Sequence, residues 1–227
     1  RSWPHGAAPP GISSLIAHPF RLAFRPARIS ADAAAKEAEL IALKAQLNPH
    51  FLFNSLNTLR SLLPREQKVP REAITTLADL LRAALAVQAL PTIPLRQELA
   101  TVDAYLTLEQ LRFEERLRIR RDIAPAVLDC HVPPFTVQGL VENAVKFGIS
   151  PRSEGGEVCL FATMREGALH LRVTNPGRIA AGSVSTGLGL KNTRARLRHL
   201  YGDRAACVLS QPEPDLVAAD LSLPCTP

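Results

Sequence analysis

The chain has 227 residues, 46% of them apolar and 21% charged, with 27 basic and 21 acidic side chains for a net charge of +6. That composition belongs to a soluble globular protein with a real core and excludes a wholly disordered, collagen-like or fibrous chain. No stretch approaches the roughly 20 uninterrupted apolar residues of a membrane-spanning helix. The start at Arg1 rather than Met reads as a fragment or a processed product, which leaves room for a membrane segment upstream.

Residues 1–31 hold Arg1, Arg21, Arg25 and Arg28 and no acid, so +4 of the +6 lies there. Pro4, Pro9, Pro10, Pro19 and Pro26 fall in the same stretch without a sustained period, which is linker composition. Two readings stand side by side: a juxtamembrane arm lying against anionic headgroups, or an Arg-rich flank. The remaining charges are nearly balanced and interspersed, which argues against direct nucleic-acid binding. Leu15–Phe24 is too interrupted, by His18, Pro19 and Arg21, to be a signal peptide. Cys130, Cys159, Cys207 and Cys225 show neither C-x-x-C spacing nor a His pair at metal-finger distance, so reduced thiols in a cytosolic compartment are expected.

From Ala31 the texture becomes helical. Leu40, Leu43, Leu47, His50 and Asn54 follow a 3-4-3-4 seam among strong helix formers. Pro64 breaks it, and Pro70 suits the start of a second helix running to about Leu90, with Ile74, Leu77, Leu81 and Leu85 on one stripe. Two helices with one apolar seam each cannot bury that surface alone, which predicts a homodimeric four-helix bundle. A third helix, Leu95–Arg116, turns Leu99, Val102, Leu106 and Phe113 inward. The period then changes to two in Leu117–Ile123, and further strands fit Glu157–Met164, Ala168–Asn175, Cys207–Ser210 and Leu216–Leu223. Arg165–Glu166–Gly167 suits a short hairpin turn, and helices fit Pro133–Phe147 and Leu190–Tyr201. The expected fold class is α+β: a helical hairpin followed by an α/β sandwich with a mostly antiparallel sheet.

Three segments carry chemistry. In Leu47–Asn54, Pro49 stands directly before His50 inside a strong helix, where a proline costs about 3 kcal/mol or more. A local bend that exposes the imidazole would account for it, with Asn54 one turn further on the same face to orient the ring or contact a phosphoryl group. A neutral imidazole, with an unperturbed pKa of about 6.5, is a capable nucleophile near neutral pH. In Pro133–Gly148, the side chains of Glu142, Asn143 and Lys146 fall within one helical turn. Glu142 and Asn143 offer hard oxygen donors for Mg²⁺, Lys146 a point charge for phosphate, and Phe147 a ring to stack on a base. In Ser185–Asn192, Gly187 and Gly189 let the backbone approach an anion at a helix start, with Lys191 and Arg194 adding charge.

Read together, LKAQLNPHFLFNSLN, LVENAVKFG and STGLGLKNTRARLRHLYG, with PLRQELATVDAYLTLEQLRF between the first two, resemble the LytS/AlgZ-type sensor histidine kinases over residues 38–223. The resemblance implies a juxtamembrane linker over 1–30, a dimerisation and phosphoacceptor hairpin over 31–92, and over 93–227 a Bergerat-type ATP-binding domain of the kind shared with gyrase. It further implies His50 as phosphoacceptor, Asn143 as magnesium ligand with Glu142 beside it, Lys146 on phosphate, and Gly187 and Gly189 in the nucleotide lid. The implied cofactors are ATP and Mg²⁺. The implied partners are a second copy of the chain and a response regulator, often one with a LytTR DNA-binding domain. The implied location is the cytoplasmic side of the bacterial inner membrane. The phosphohistidine formed would be passed to an aspartate of the regulator, and the base, if one is needed, is Glu142 or water.

The sequence departs from the family in two places. Phe147 stands where the family has His, and Thr174 or Asn175 where the adenine-binding Asp is expected. A neutral acceptor weakens nucleotide binding. This departure motivates the alternative of a non-catalytic dimeric scaffold or regulator-binding module.

Overall fold

The computed structural model describes residues 49–179 and 188–225, and the chain divides into two compact units, Arg1–Asn54 and Ser55–Pro227. The predicted linker and the seam residues Leu40, Leu43 and Leu47 lie outside the described residues. Helix α1 spans Pro49–Leu62 and α2 spans Lys68–Val87. Helix α2 begins two residues before Pro70, which therefore sits in the first turn, where a missing N–H is harmless. The turn between the helices is closed by Arg71, whose guanidinium donates to the carbonyls of Arg60 and Leu63, both at 2.8 Å. Those carbonyls belong to the end of α1, whose last C=O groups lack partners within the helix. The predicted stripe on α2 is only partly covered in the single chain, with Leu77 and Leu85 exposed.

A two-residue strand, β1 (Ile93–Pro94), leads into α3 (Leu95–Phe113). Its buried face is Leu95, Glu98, Val102, Leu106 and Phe113, a helical seam with one carboxylate in it. The helix stops three residues short of the expected Arg116, because Glu114 turns to a φ of 53° and a 3₁₀ turn follows. Strand β2 (Leu117–Ile123) is as predicted, and β3 (His131–Val132) pairs with β1. Helix α4 covers Thr136–Ala144 and continues as a π turn over Val145–Ile149. It begins later than the predicted Pro133, because Phe135 takes a left-handed φ of 61°.

Strands β4 (Gly156–Arg165), β5 (Ala168–Pro176), β6 (Ala206–Glu213) and β7 (Leu216–Pro224) complete a five-stranded sheet of order β2-β4-β5-β7-β6. Only the β2–β4 pairing is parallel. The β4–β5 turn places Glu166 at φ 50° and Gly167 at φ 76°, the two positive angles a tight hairpin with right-twisted strands demands. Alternate residues Val158, Leu160, Ala162 and Leu169, Leu171, Val173 form one buried face. They share a core with Val102 and Leu106 of α3, Leu140 of α4, and Leu190 and Leu197 of α5 (Leu188–Tyr201). The result is a helix layer on one side of a mixed sheet. Among the described residues no helix is long and apolar enough to cross a membrane.

The cysteines depart from expectation. Cys130, just before β3, is bonded to Cys225, just after β7, across 95 residues, and only Cys159 and Cys207 are free. Unfolding without reduction should therefore expose two titratable thiols rather than four. Cys225→Ser should lower stability by about 2–4 kcal/mol, read as a shift in the denaturation midpoint, because the cross-link restricts the unfolded chain.

Candidate active site

His50 and Asn54 lie one turn apart in α1, which begins among the described residues at Pro49, so the predicted bend before His50 falls outside them. Asn54 and Phe51 are exposed.

The second segment adopts the predicted helical turn. Val137, Leu140, Val141, Ala144 and Val145 are buried, which leaves Glu142, Lys146 and Phe147 exposed and Asn143 half-buried on the opposite side. Gln138 donates from Nε2 to Glu142 Oε1 at 2.7 Å. The Glu142 charge also reaches Tyr105 on α3, whose hydroxyl is pushed well up, first by burial and then by the carboxylates of Glu109 and Glu142. Lys146 Nζ lies 5.2 Å from the Phe147 ring centroid, so the ammonium sits over the ring face.

The π turn brings this segment against the end of β5. Ser150 N–H donates to the Val145 carbonyl at 2.9 Å, and the widened turn seats Gly148 on Asn175. A Cβ at position 148 would lie 2.4 Å from Asn175 Nδ2 and 2.7 Å from its Cβ, so no larger residue fits there. Such π turns are frequent at functional sites. Asn175 is buried and donates from Nδ2 to the Pro176 carbonyl at 2.8 Å, which leaves Oδ1 as its acceptor.

Thr174 points the other way. Successive strand residues face opposite sides of a sheet, and Thr174 is paired in register with Cys159, whose sulfur it hydrogen-bonds. Of the two candidates for the adenine position, only Asn175 is beside the α4 segment.

The third segment meets the second directly. Gly189, at the start of α5, is so placed that a Cβ there would lie 3.9 Å from Asn143 Nδ2. Gly187 lies outside the described residues, and Lys191 is exposed. Arg194 donates from Nε to the Cys207 carbonyl on β6 at 2.8 Å. Asn143, Gly189, Phe147, Gly148 and Asn175 therefore form one neighbourhood drawn from three separated stretches of chain. Among the described residues no group of three or more His, Cys, Asp or Glu side chains could hold a metal by itself. Two hard donors on one helix suit a cation held mostly by phosphates and water. Sequence reasoning missed Gly148, Glu98 and Arg196. A single carboxylate at a seam position of α3 was the available signal for Glu98.

Residues 38–117 match the family model described as histidine kinase. Sensor protein LytS of Enterococcus faecalis is 35% identical over 191 residues, which cover 78% of this chain and 32% of that protein. The sensor histidine kinase/phosphatase LytS of Staphylococcus aureus is 36% identical over 186 residues, 75% of this chain and 32% of that protein. Among solved structures, the catalytic domain of histidine kinase ThkA aligns with a TM-score of 0.47 at 17% identity, over 60% of this chain and 95% of that domain. The chain spans about a third of the length of the curated relatives it matches. The chain therefore carries a segment that matches the histidine-kinase model over residues 38–117, and three quarters of its length is similar to a third of the LytS sensor proteins.

Proposed function

We propose that this chain is the kinase portion of a two-component sensor: it binds ATP on the helix-covered end of the sheet and transfers the γ-phosphoryl group to His50. The observation that carries this reading is the convergence of Asn143, Gly189, Gly148 and Asn175 from three distant motifs. Asn143, with Glu142 beside it, offers the oxygen donors that would hold Mg²⁺ against the phosphates, where the cation supplies charge neutralisation. Lys146 and the backbone at Gly189 would meet the same anion, and the Phe147 ring, 57% exposed, would offer a base the face that Lys146 leaves open.

In the transfer, an imidazole nitrogen of His50 forms the N–P bond while the bond to the bridging oxygen breaks, and ADP leaves. The protein's part is chiefly to position groups and offset charge. Asn54, one turn on, is placed to orient the ring or meet the incoming phosphoryl group. The phosphoryl group then passes to an aspartate of a response regulator.

The partly uncovered apolar residues of the hairpin, Leu59, Leu62, Leu77 and Leu85, support a homodimeric bundle in which the partner's helices cover them. The domain reading (arm 1–30, hairpin 31–92, ATP-binding domain 93–227) and attachment to the inner face of a bacterial membrane go with this role. The neutral Asn175 at the adenine position favours one alternative, a non-catalytic dimeric scaffold that docks the regulator.

Incubation with γ-labelled ATP and Mg²⁺ should give acid-labile, base-stable label that disappears in His50→Gln. No label on the dimeric wild-type protein at saturating nucleotide would establish the scaffold instead. Sedimentation at micromolar concentration should give a dimer, and a monomer would count against the bundle. Gly148→Ala should destabilise the fold by about 1–3 kcal/mol by overpacking against Asn175, with a matching loss of nucleotide affinity in a fluorescent-nucleotide titration.

A further inference from the structure

Glu98 is the most deeply buried acidic residue described, 1% exposed at the inner face of α3. Its carboxylate accepts three backbone N–H bonds from the start of α4: Oε2 from Phe135 at 3.0 Å, and Oε1 from Val137 at 3.0 Å and Gln138 at 3.2 Å. No local group can do this work. The N-cap residue is Phe135, which has no side-chain acceptor, and Pro133 and Pro134 precede it. The cap is therefore delivered from a residue 37–40 positions earlier.

Arg196 of α5 closes the same junction. Its guanidinium donates to the Pro134 carbonyl and, at 3.2 Å, to Thr136 Oγ1. Burial holds the Glu98 carboxyl above its usual range on balance, while the three amides and the Arg196 charge act against that rise as direct partners of the ionised form.

The geometry of this junction reaches the nucleotide site. Arg196 touches Thr136, and seven residues along each helix in opposite directions Gly189 comes close to Asn143, so that a Cβ at 189 would lie 3.9 Å from Asn143 Nδ2. Helices α4 and α5 thus run antiparallel in one register, with the clamp and the Asn143–Gly189 contact two turns apart, about 10 Å. We propose that Glu98 is a positioning residue for the phosphate side of the nucleotide site: with Arg196 it fixes the register of α5 on α4, and that register sets Gly189 against Asn143. The inference rests on the nucleotide-site reading above and deepens it. It assigns Glu98 no contact with ATP, and it leaves the adenine side, where Asn175 is held by Gly148, outside the clamp.

The test is the ratio of two affinities, measured by NMR titration on the full chain: Mg²⁺·ATP, which uses both sides, and adenosine, which uses only the adenine side. Glu98→Gln removes the charge and one of the two acceptor oxygens. It should weaken Mg²⁺·ATP by about 10-fold, in line with other supporting residues behind a metal site, while adenosine stays within about 2-fold. Glu98→Asp keeps the charge one methylene shorter and should show the same split if the Gln variant does not fold. A lower melting temperature with both affinities unchanged, or an equal fall in both, would make Glu98 a structural cap only and overturn the proposal. Wild-type protein that binds neither ligand would instead bring down the nucleotide-site reading itself, and the clamp's role with it.

Discussion

A carboxylate taken out of water requires donors, and the helix layer is organised around meeting that requirement at Glu98. An uncompensated buried ion is strongly destabilising, by about 3–5 kcal/mol when a partner is removed. Here the compensation comes from amides that also need acceptors, since the first N–H groups of any helix have none within it. One contact thus resolves two deficits, and it can form only if α3 and the start of α4 are held together. Arg196 extends the same logic to α5 by satisfying the Pro134 carbonyl. The three helices that cover the sheet therefore meet at a polar junction inside an otherwise apolar layer, and polar junctions specify register in a way that interchangeable Leu and Val contacts do not.

The far end of α4 is held by sterics instead. Gly148 allows the π turn to lie on Asn175, and the absence of a Cβ is what permits that approach. Helix α4 is therefore fixed by charge at its start and by contact at its end. Glu142, Asn143 and Lys146 project from the span between these two anchors. Groups meant to meet a charged ligand are most effective when their supporting elements do not reorganise on binding. A helix fixed at both ends meets that condition without any of the three side chains being rigid itself.

What could be read from sequence divides along a physical line. Strands β2, β4, β5 and β7 and helices α2 and α5 were legible to within two or three residues, because period and turn chemistry are local: Glu166–Gly167 signals a hairpin wherever it occurs between alternating runs. Helix ends were less legible where a backbone angle decides them, as at Phe135 and Glu114, since neither residue type advertises a positive φ. Long-range pairings were not legible. The Cys130–Cys225 bond spans 95 residues, and the Glu98 cap spans nearly 40. The ambiguity between Thr174 and Asn175 belongs to the same group. Alternation places the two on opposite faces, but only the register of β5 on β4 and the seat of Gly148 tell which face meets α4.

If Asn175 holds the adenine position as proposed, the weight of a carboxamide there in place of a carboxylate can be bounded. A neutral hydrogen bond contributes about 0.5–1.5 kcal/mol and one to a charged group about 1.5–3, so replacing a carboxylate by a carboxamide forfeits about 1 kcal/mol. That is somewhat under a tenfold change in affinity, since a factor of ten corresponds to about 1.4 kcal/mol. The Asn175 amide donates from Nδ2 to the Pro176 carbonyl, which leaves Oδ1 as the atom able to accept. On the proposed nucleotide-site reading, the consequence is a weaker site rather than an abolished one. On the same reading, loss of catalysis would need a second lesion among the proposed phosphate-side residues, where Gly189 lies near Asn143 and Lys146 is exposed.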